Sequence, residues 1–154
     1  MRGKYVDKVL QEGEQVRYVA RLHWIVYVPG LLLWLLAAVV YFVFPDSGVL
    51  GTIARIAALL LFAAGLIVIA RAWFVAWTSE IAVTDRRVIT KTGFIRRTTT
   101  EMHIDKVESV DVEQSVLGRI FGYGDVVVRG TGSGLEPIPM VAAPMELRNH
   151  ITGV

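Results

Sequence analysis

The chain of 154 residues contains no cysteine. Disulfides, thiolate nucleophiles, iron–sulfur clusters and cysteine zinc sites are therefore excluded. Charge is also scarce: 19% of residues are charged against 54% hydrophobic, and the formal net charge is only +2. So small a charge leaves no electrostatic footprint for nucleic acid, and so apolar a composition is unusual for a small soluble domain. A GK[ST] sequence is missing, and with it the lysine and hydroxyl of a P-loop. The glycines of SVLGRIFGYGDVVVRG (115–130) come before their strand-like run, not after it. A phosphate loop needs the order strand, glycines, helix, so these glycines read as corner residues.

The scarce charge is unevenly spread. Residues 1–23 carry five basic and three acidic side chains, residues 24–77 only Arg55, Arg71 and Asp46, and residues 78–154 nine basic and ten acidic. Within the depleted middle, WIVYVPGLLLWLLAAVVYFVF (24–44) is uncharged, and PDSG (45–48) is a turn signal. A second apolar run covers about 53–75. Each run can span roughly 30 Å of hydrocarbon as a helix. Residues 24–77 are thus expected to form a transmembrane helical hairpin. Trp24, Trp73 and Trp77 would sit at the interfaces, with Arg55 and Arg71 snorkelling to them. Ala37 and Ala38 on one helix, and Ala54, Ala58 and Gly65 on the other, would let the backbones approach. The first run starts late, is too long and lacks an A-x-A site, which argues against a signal peptide. Lys8, Arg17 and Arg21 flank one end and Arg71, Arg86 and Arg87 the other, against Arg55 alone in the loop region. The positive-inside rule then puts both termini in the cytoplasm.

Outside the middle the hydrophobic period changes. EIAVTD (80–85), RVITKTG (87–93), RRTTTEMH (96–103), VESVDVEQ (107–114) and DVVVRG (125–130) are short runs rich in β-branched residues. EPIPMVAA (136–143) carries Pro137 and Pro139 and fits only an edge or a broken strand. Pro144 can open a helix over 144–151. EQVRYVARLH (14–23) alternates as a half-buried strand does, so residues 1–23 read as a cytoplasmic segment whose strand could join the same sheet. The fold class is membrane α plus β: a two-helix hairpin, then a small antiparallel β domain over 78–154 closed by a C-terminal helix.

Val116, Leu117, Ile120 and Phe121 share one face of a short helical turn that Gly122 could end in a left-handed conformation. Gly124 then frees the backbone to begin a strand. Along this stretch Thr84, Asp85, Arg86, Gly93, Ile104, Val107, Val110, Gln114, Ser115, Leu117, Arg119, Gly122, Tyr123, Gly124 and Val126 follow one pattern. In that pattern the chain resembles bacterial PH-like domains of the YdbS type over about 78–151, and a two-helix anchor is usual in such proteins. The resemblance implies a bent antiparallel sheet closed by a C-terminal helix. It makes Gly93, Gln114, Arg119, Gly122, Tyr123 and Gly124 structural signature positions, and it implies no catalysis.

The residues themselves agree with that absence of catalysis. Asp111 and Glu113 have no partner group that would make an acid–base pair. Glu101, His103 and Asp105 alternate, but such a row reads as a solvated sheet face, and no constellation calls for a metal or a cofactor. Arg86, Arg87, Arg96 and Arg97, with Lys91 between them, lie near hairpin turns and could hold anionic headgroups. The sequence therefore leads to an inner-membrane, PH-like binding or scaffold protein of a bacterium. Its partners would be the lipid bilayer and either further copies of itself, as a homo-oligomer, or a membrane-protein partner captured on the strand edge at 136–143. The alternative is a sensor of anionic lipid headgroups through the basic tips.

Overall fold

The structure, a computed structural model, describes residues 6–44, 47–93, 98–131 and 137–153. Part of the turn expected at 45–48, both Arg96 and Arg97, and most of the GTGSG stretch lie outside the described residues. The chain divides into two compact units, one made of residues 24–74 and the other of residues 1–23 together with 75–154.

The first unit is helical. A 3-10 turn, Trp24–Tyr27, leads into α2, Val28–Val43, which follows the short N-terminal helix α1, Val6–Val9. Pro29 stands at the start of α2, where its missing N–H costs nothing. The second long helix, α3, runs Gly48–Thr78. It begins earlier and ends later than the apolar run at 53–75, so Arg55 sits two turns inside it. Over residues 24–43 and 48–78 the two are long and apolar enough to cross a membrane, with mean hydropathies of 2.3 and 2.6.

Small residues set their packing. Gly30 and Ala37 on α2, and Gly51, Ala54, Ala58 and Gly65 on α3, are buried, whereas Ala38 points outward, contrary to the pairing expected from sequence. A Cβ on Gly65 would lie 2.5 Å from the Trp34 ring, and one on Gly30 would lie 2.4 Å from Ile69. The space left by Gly65 lets Trp34 stack on Phe62 at 5.2 Å and donate its indole N–H to the Phe62 carbonyl at 3.2 Å. The large side chains face out instead: Leu35, Leu60 and Ile67 are each more than 60% exposed.

The second unit is a seven-stranded β body among the described residues. β1 is Val16–Ala20, β2 Glu80–Thr84, β3 Arg87–Thr92 and β4 Thr98–His103, in one antiparallel sheet of that order. β5, Val107–Glu113, β6, Tyr123–Gly130, and β7, Ile138–Ala142, form a second antiparallel sheet, with α4, Val116–Phe121, between β5 and β6. Alternate side chains of both sheets (Ile81, Val83, Val88, Met102, Val126, Val128, Ile138, Val141) form one core. The C-terminal helix α5, Pro144–Thr152, closes it with Leu147 and Ile151.

β1 pairs with β2 although the whole helical unit lies between them in the chain: Ala20 opposes Ile81 and Val16 opposes Thr84. The chain therefore leaves this sheet after β1 and rejoins it at β2 at one and the same end. Residues 21–23 continue past β1 onto the other sheet, where Leu22 bridges Val141 and the His23 N–H donates to the Met140 carbonyl at 2.7 Å.

Placing a branched side chain at the helix crossing tests its packing. Gly65→Val would drive Trp34 off the Phe62 carbonyl, with an overpacking cost of about 1–3 kcal/mol. The expected result is a lower thermal midpoint for the full-length protein in lipid nanodiscs, with Ala38→Val, on the outward face, near the parent value.

Candidate functional site

Two regions of the β body collect the residues singled out by sequence, and they lie at opposite ends of it. Antiparallel order puts consecutive hairpin turns at opposite ends of a strand. The β2–β3 turn, with Asp85 and Arg86, is therefore at the end away from His23 and Glu80. Lys91 and Thr92, at the close of β3, are at the end where the chain leaves and returns.

The far end is a polar cluster built around Arg87. This residue is 7% exposed and does not face water as the sequence suggested. Its Nε and Nη2 donate to the two carboxylate oxygens of Glu14 at 2.9 and 2.7 Å, Nη1 donates to Glu101 at 2.6 Å, and Nη2 also reaches the Val9 carbonyl at 2.9 Å. The Thr84 hydroxyl donates to Glu14 at 2.7 Å and accepts the Arg87 N–H at 3.0 Å. Glu14 also accepts the Gln11 N–H at 2.9 Å. Every strong donor of the guanidinium is committed to α1, β1's approach, or β4, so Arg87 fastens the N-terminal segment to the sheet and is removed from the basic-tip set. Arg86 beside it is exposed. Lys91 lies 3.6 Å from Glu80, with both side chains largely buried.

The guanidinium beside Glu14, outweighing the desolvation of burial, holds the Glu14 carboxyl at about 2, well below its ordinary 4.5. Glu14 and Glu101 in turn push Arg87 upward. Near α5, burial and then the Glu146 carboxylate raise the Tyr18 phenol, whose ring stacks on His150 at 4.5 Å. Glu101 is spent on Arg87, and Asp105 falls in a 3-10 turn, Ile104–Lys106, so the alternating row at 101–105 does not continue along one strand face. Among the described residues, no three His, Asp or Glu side chains are grouped to hold a metal ion.

The other end holds the signature residues, and they build a corner. Ser115 caps α4 by accepting the Gly118 N–H at 3.0 Å, and Gly122 closes the helix at φ 76°. Gln114 donates its side-chain N–H to the Tyr123 carbonyl at 2.9 Å and tethers the strand beyond. Gly118 is buried because the helix meets β6 through its backbone: a Cβ there would lie 2.6 Å from the Tyr123 carbonyl oxygen. Gly124 is tight for the same reason, with 2.7 Å to the Glu113 carbonyl oxygen. Tyr123 stacks on His23 at 5.4 Å. Gly93, with φ 83°, ends β3, and Arg119 is exposed on α4. The corner thus holds Gln114, Gly122, Tyr123 and Gly124 in contact with one another or with adjoining backbone, while Gly93 stands apart from it.

The edge expected to capture a strand is occupied. One side of β7 pairs with β6. Toward the other, residues 21–23 supply the Leu22–Val141 bridge and the Arg21 carbonyl that accepts the Ala142 N–H at 2.9 Å. Met140 takes φ 53°, held there by its N–H to Asp125 at 2.7 Å and its carbonyl to His23. The other terminal strands of the two sheets are β1 and β4 in the first and β5 in the second. In the membrane-interface set, Trp24, Trp73, Trp77, Arg55 and Arg71 are all exposed side chains of the helical segment.

Sequence comparison gives one positive result. The family described as "Bacterial PH domain" matches residues 18–153, a span that takes in the last three residues of β1, both long helices and β2 through α5. No curated protein and no solved structure matches the chain.

Two outcomes test these assignments. Holding the Glu14 carboxyl at about 2 instead of 4.5 is worth on the order of 3 kcal/mol. Because the folded value is the lower, this stability is fully present above pH 4.5 and is lost as pH falls towards 2. Scanning calorimetry across that window should show a falling midpoint for the parent. Glu14→Gln, which leaves Arg87 half-paired, should start about 3 kcal/mol less stable and lose that part of the pH dependence. At the corner, Gly124→Ala meets backbone and should cost about 2–3 kcal/mol. Gly122→Ala has open space and only the left-handed φ to oppose it, about 1 kcal/mol; thermal unfolding of the pair should rank them in that order.

Proposed function

The chain belongs to the bacterial PH domain family, and from that premise we propose that it is a non-catalytic binding module anchored in the inner membrane of a bacterium by a two-helix hairpin. It would hold a protein partner, or further copies of itself, at the cytoplasmic face. PH-like domains are in general non-catalytic binding modules, which supports that reading.

The observation that carries the reading is the pairing of β1 with β2 around the apolar segment. The segment enters and leaves the β body at one end, with no flexible linker between either long helix and its neighbouring strand: only residues 21–23 separate β1 from the turn at Trp24, and Ser79 alone separates α3 from β2. The exposed apolar side chains on both long helices support a lipid surround. The basic flanks support cytoplasmic termini.

The rival reading, headgroup sensing by the basic residues, is narrowed by the same topology. Arg86 and Arg87 lie at the end away from the crossing points, and Arg87 is consumed by Glu14. Lys91 is held largely buried beside Glu80, so what remains for that reading is the pair Arg96 and Arg97. With β7 covered, the remaining terminal strands β1, β4 and β5 are where a partner strand would add.

The deciding measurement is the mass of the full-length protein in native nanodiscs, with mass spectrometry of whatever accompanies it. A defined multimer or a stoichiometric second protein is expected. A clean monomer that retains anionic lipid and loses it on joint substitution of Arg96 and Arg97 by glutamine would overturn the scaffold reading in favour of the sensor.

A further inference from the structure

Helix α4 carries four apolar side chains on an arc of about 140° at about 100° per residue, and all four face outward. Val116 is 75% exposed, Leu117 58%, Ile120 70% and Phe121 48%. A short amphipathic helix on a β body ordinarily turns that face to the core. Here the inward position is Gly118, whose backbone lies against β6, so the helix is docked by its bare side and its large side chains are displayed. The display is held in place by the Ser115 cap, the left-handed Gly122 and the Gln114 tether. Contiguous apolar exposure on so small a body marks a contact surface.

Its location identifies the contact. Tyr123, two residues after α4, stacks on His23, and His23 is bonded to Met140, itself 41% exposed. His23 is the residue after which the chain becomes continuously apolar for twenty residues, Trp24–Val43. The exposed face of α4 and the point where the chain departs into that segment therefore share one end of the β body. We propose that α4 lies in the bilayer interface, with Val116, Leu117, Ile120 and Phe121 at the boundary between headgroups and acyl chains and Arg119 at headgroup level. The inference rests on the hairpin spanning the membrane. It adds a third, monotopic contact to the two spanning helices. Glu113, exposed at the end of β5 beside the corner, limits the depth to the interface.

The absence of cysteine makes the test direct. Single-cysteine variants of the full-length protein, Ile120→Cys, Val116→Cys, Leu60→Cys and Glu108→Cys, would be spin-labelled in lipid nanodiscs. Relaxation by oxygen, which concentrates in lipid, would be compared with relaxation by a water-soluble nickel chelate. Leu60 reports on the hairpin and Glu108, exposed on β5, reports on water. The expected result is an oxygen-to-chelate ratio at Ile120 and Val116 several-fold above that at Glu108 and approaching that at Leu60. A water-like ratio at both α4 positions with a lipid-like ratio at Leu60 would overturn the α4 placement alone. Protection of both α4 positions from either reagent would also overturn it, because protein, such as a second copy, then covers the face. A water-like ratio at Leu60 would remove the hairpin reading, and the α4 placement with it.

Discussion

The antiparallel pairing of β1 with β2 is the constraint on which the rest of the architecture depends. Ala20 and Ile81 are neighbours in one sheet, so the helical unit between them is an insertion between two adjacent strands and not a leader. Both of its ends must then leave the β body at the same place, and residues 21–23, kept in register by β1, are carried onto β7. The second sheet is closed on that side by the same segment that opens the path to the helices. Without the pairing, the N-terminal segment, the cover of β7 and the common point of departure would all be lost together.

The Arg87 cluster serves that pairing from the opposite end. A buried ion pair is a weak source of net stability, because desolvation offsets much of the attraction. Its effect lies in specificity. Glu14 can satisfy Arg87 only if the chain before β1 lies beside the β2–β3 turn, and a shift of register would leave a charge buried and unpaired. The Thr84 hydroxyl, bonded to both, ties this requirement to the last residue of β2.

Much of this was legible from residues alone, and the reason differs from element to element. The two apolar runs stand out because composition by itself reports them, and the strands at 80–84, 87–92 and 107–113 because β-branched residues repeat at short spacing. The corner could be read because Gly122 and Gly124 have steric uses with local causes. What was not legible depended on distant partners. Nothing near Arg87 in the chain announces Glu14, 73 residues earlier, as the carboxylate that buries it. The Arg86-Arg87 pair reads in sequence as two equivalent exposed charges, and only the fold separates a buried Arg87 from an exposed Arg86. Nor could periodicity tell which way the α4 face would turn. An apolar arc predicts burial, and the deciding residue is Gly118, which lets the backbone take the inward position.

The inserted helices also impose an order of events on a newly made chain. β1 is synthesised before any residue of the sheet it belongs to, and its partner follows only after about sixty further residues. Closing an unstructured loop of that length costs on the order of 4 kcal/mol in chain entropy. Were the contacts of Gly30 with Ile69 and of Trp34 with Phe62 to form first, they would bring the two helices of the insertion together. β1 and β2 would then meet across a shorter effective loop, and the long-range closure would cost less. The hairpin would then act as the clamp that starts the β body folding as well as its anchor.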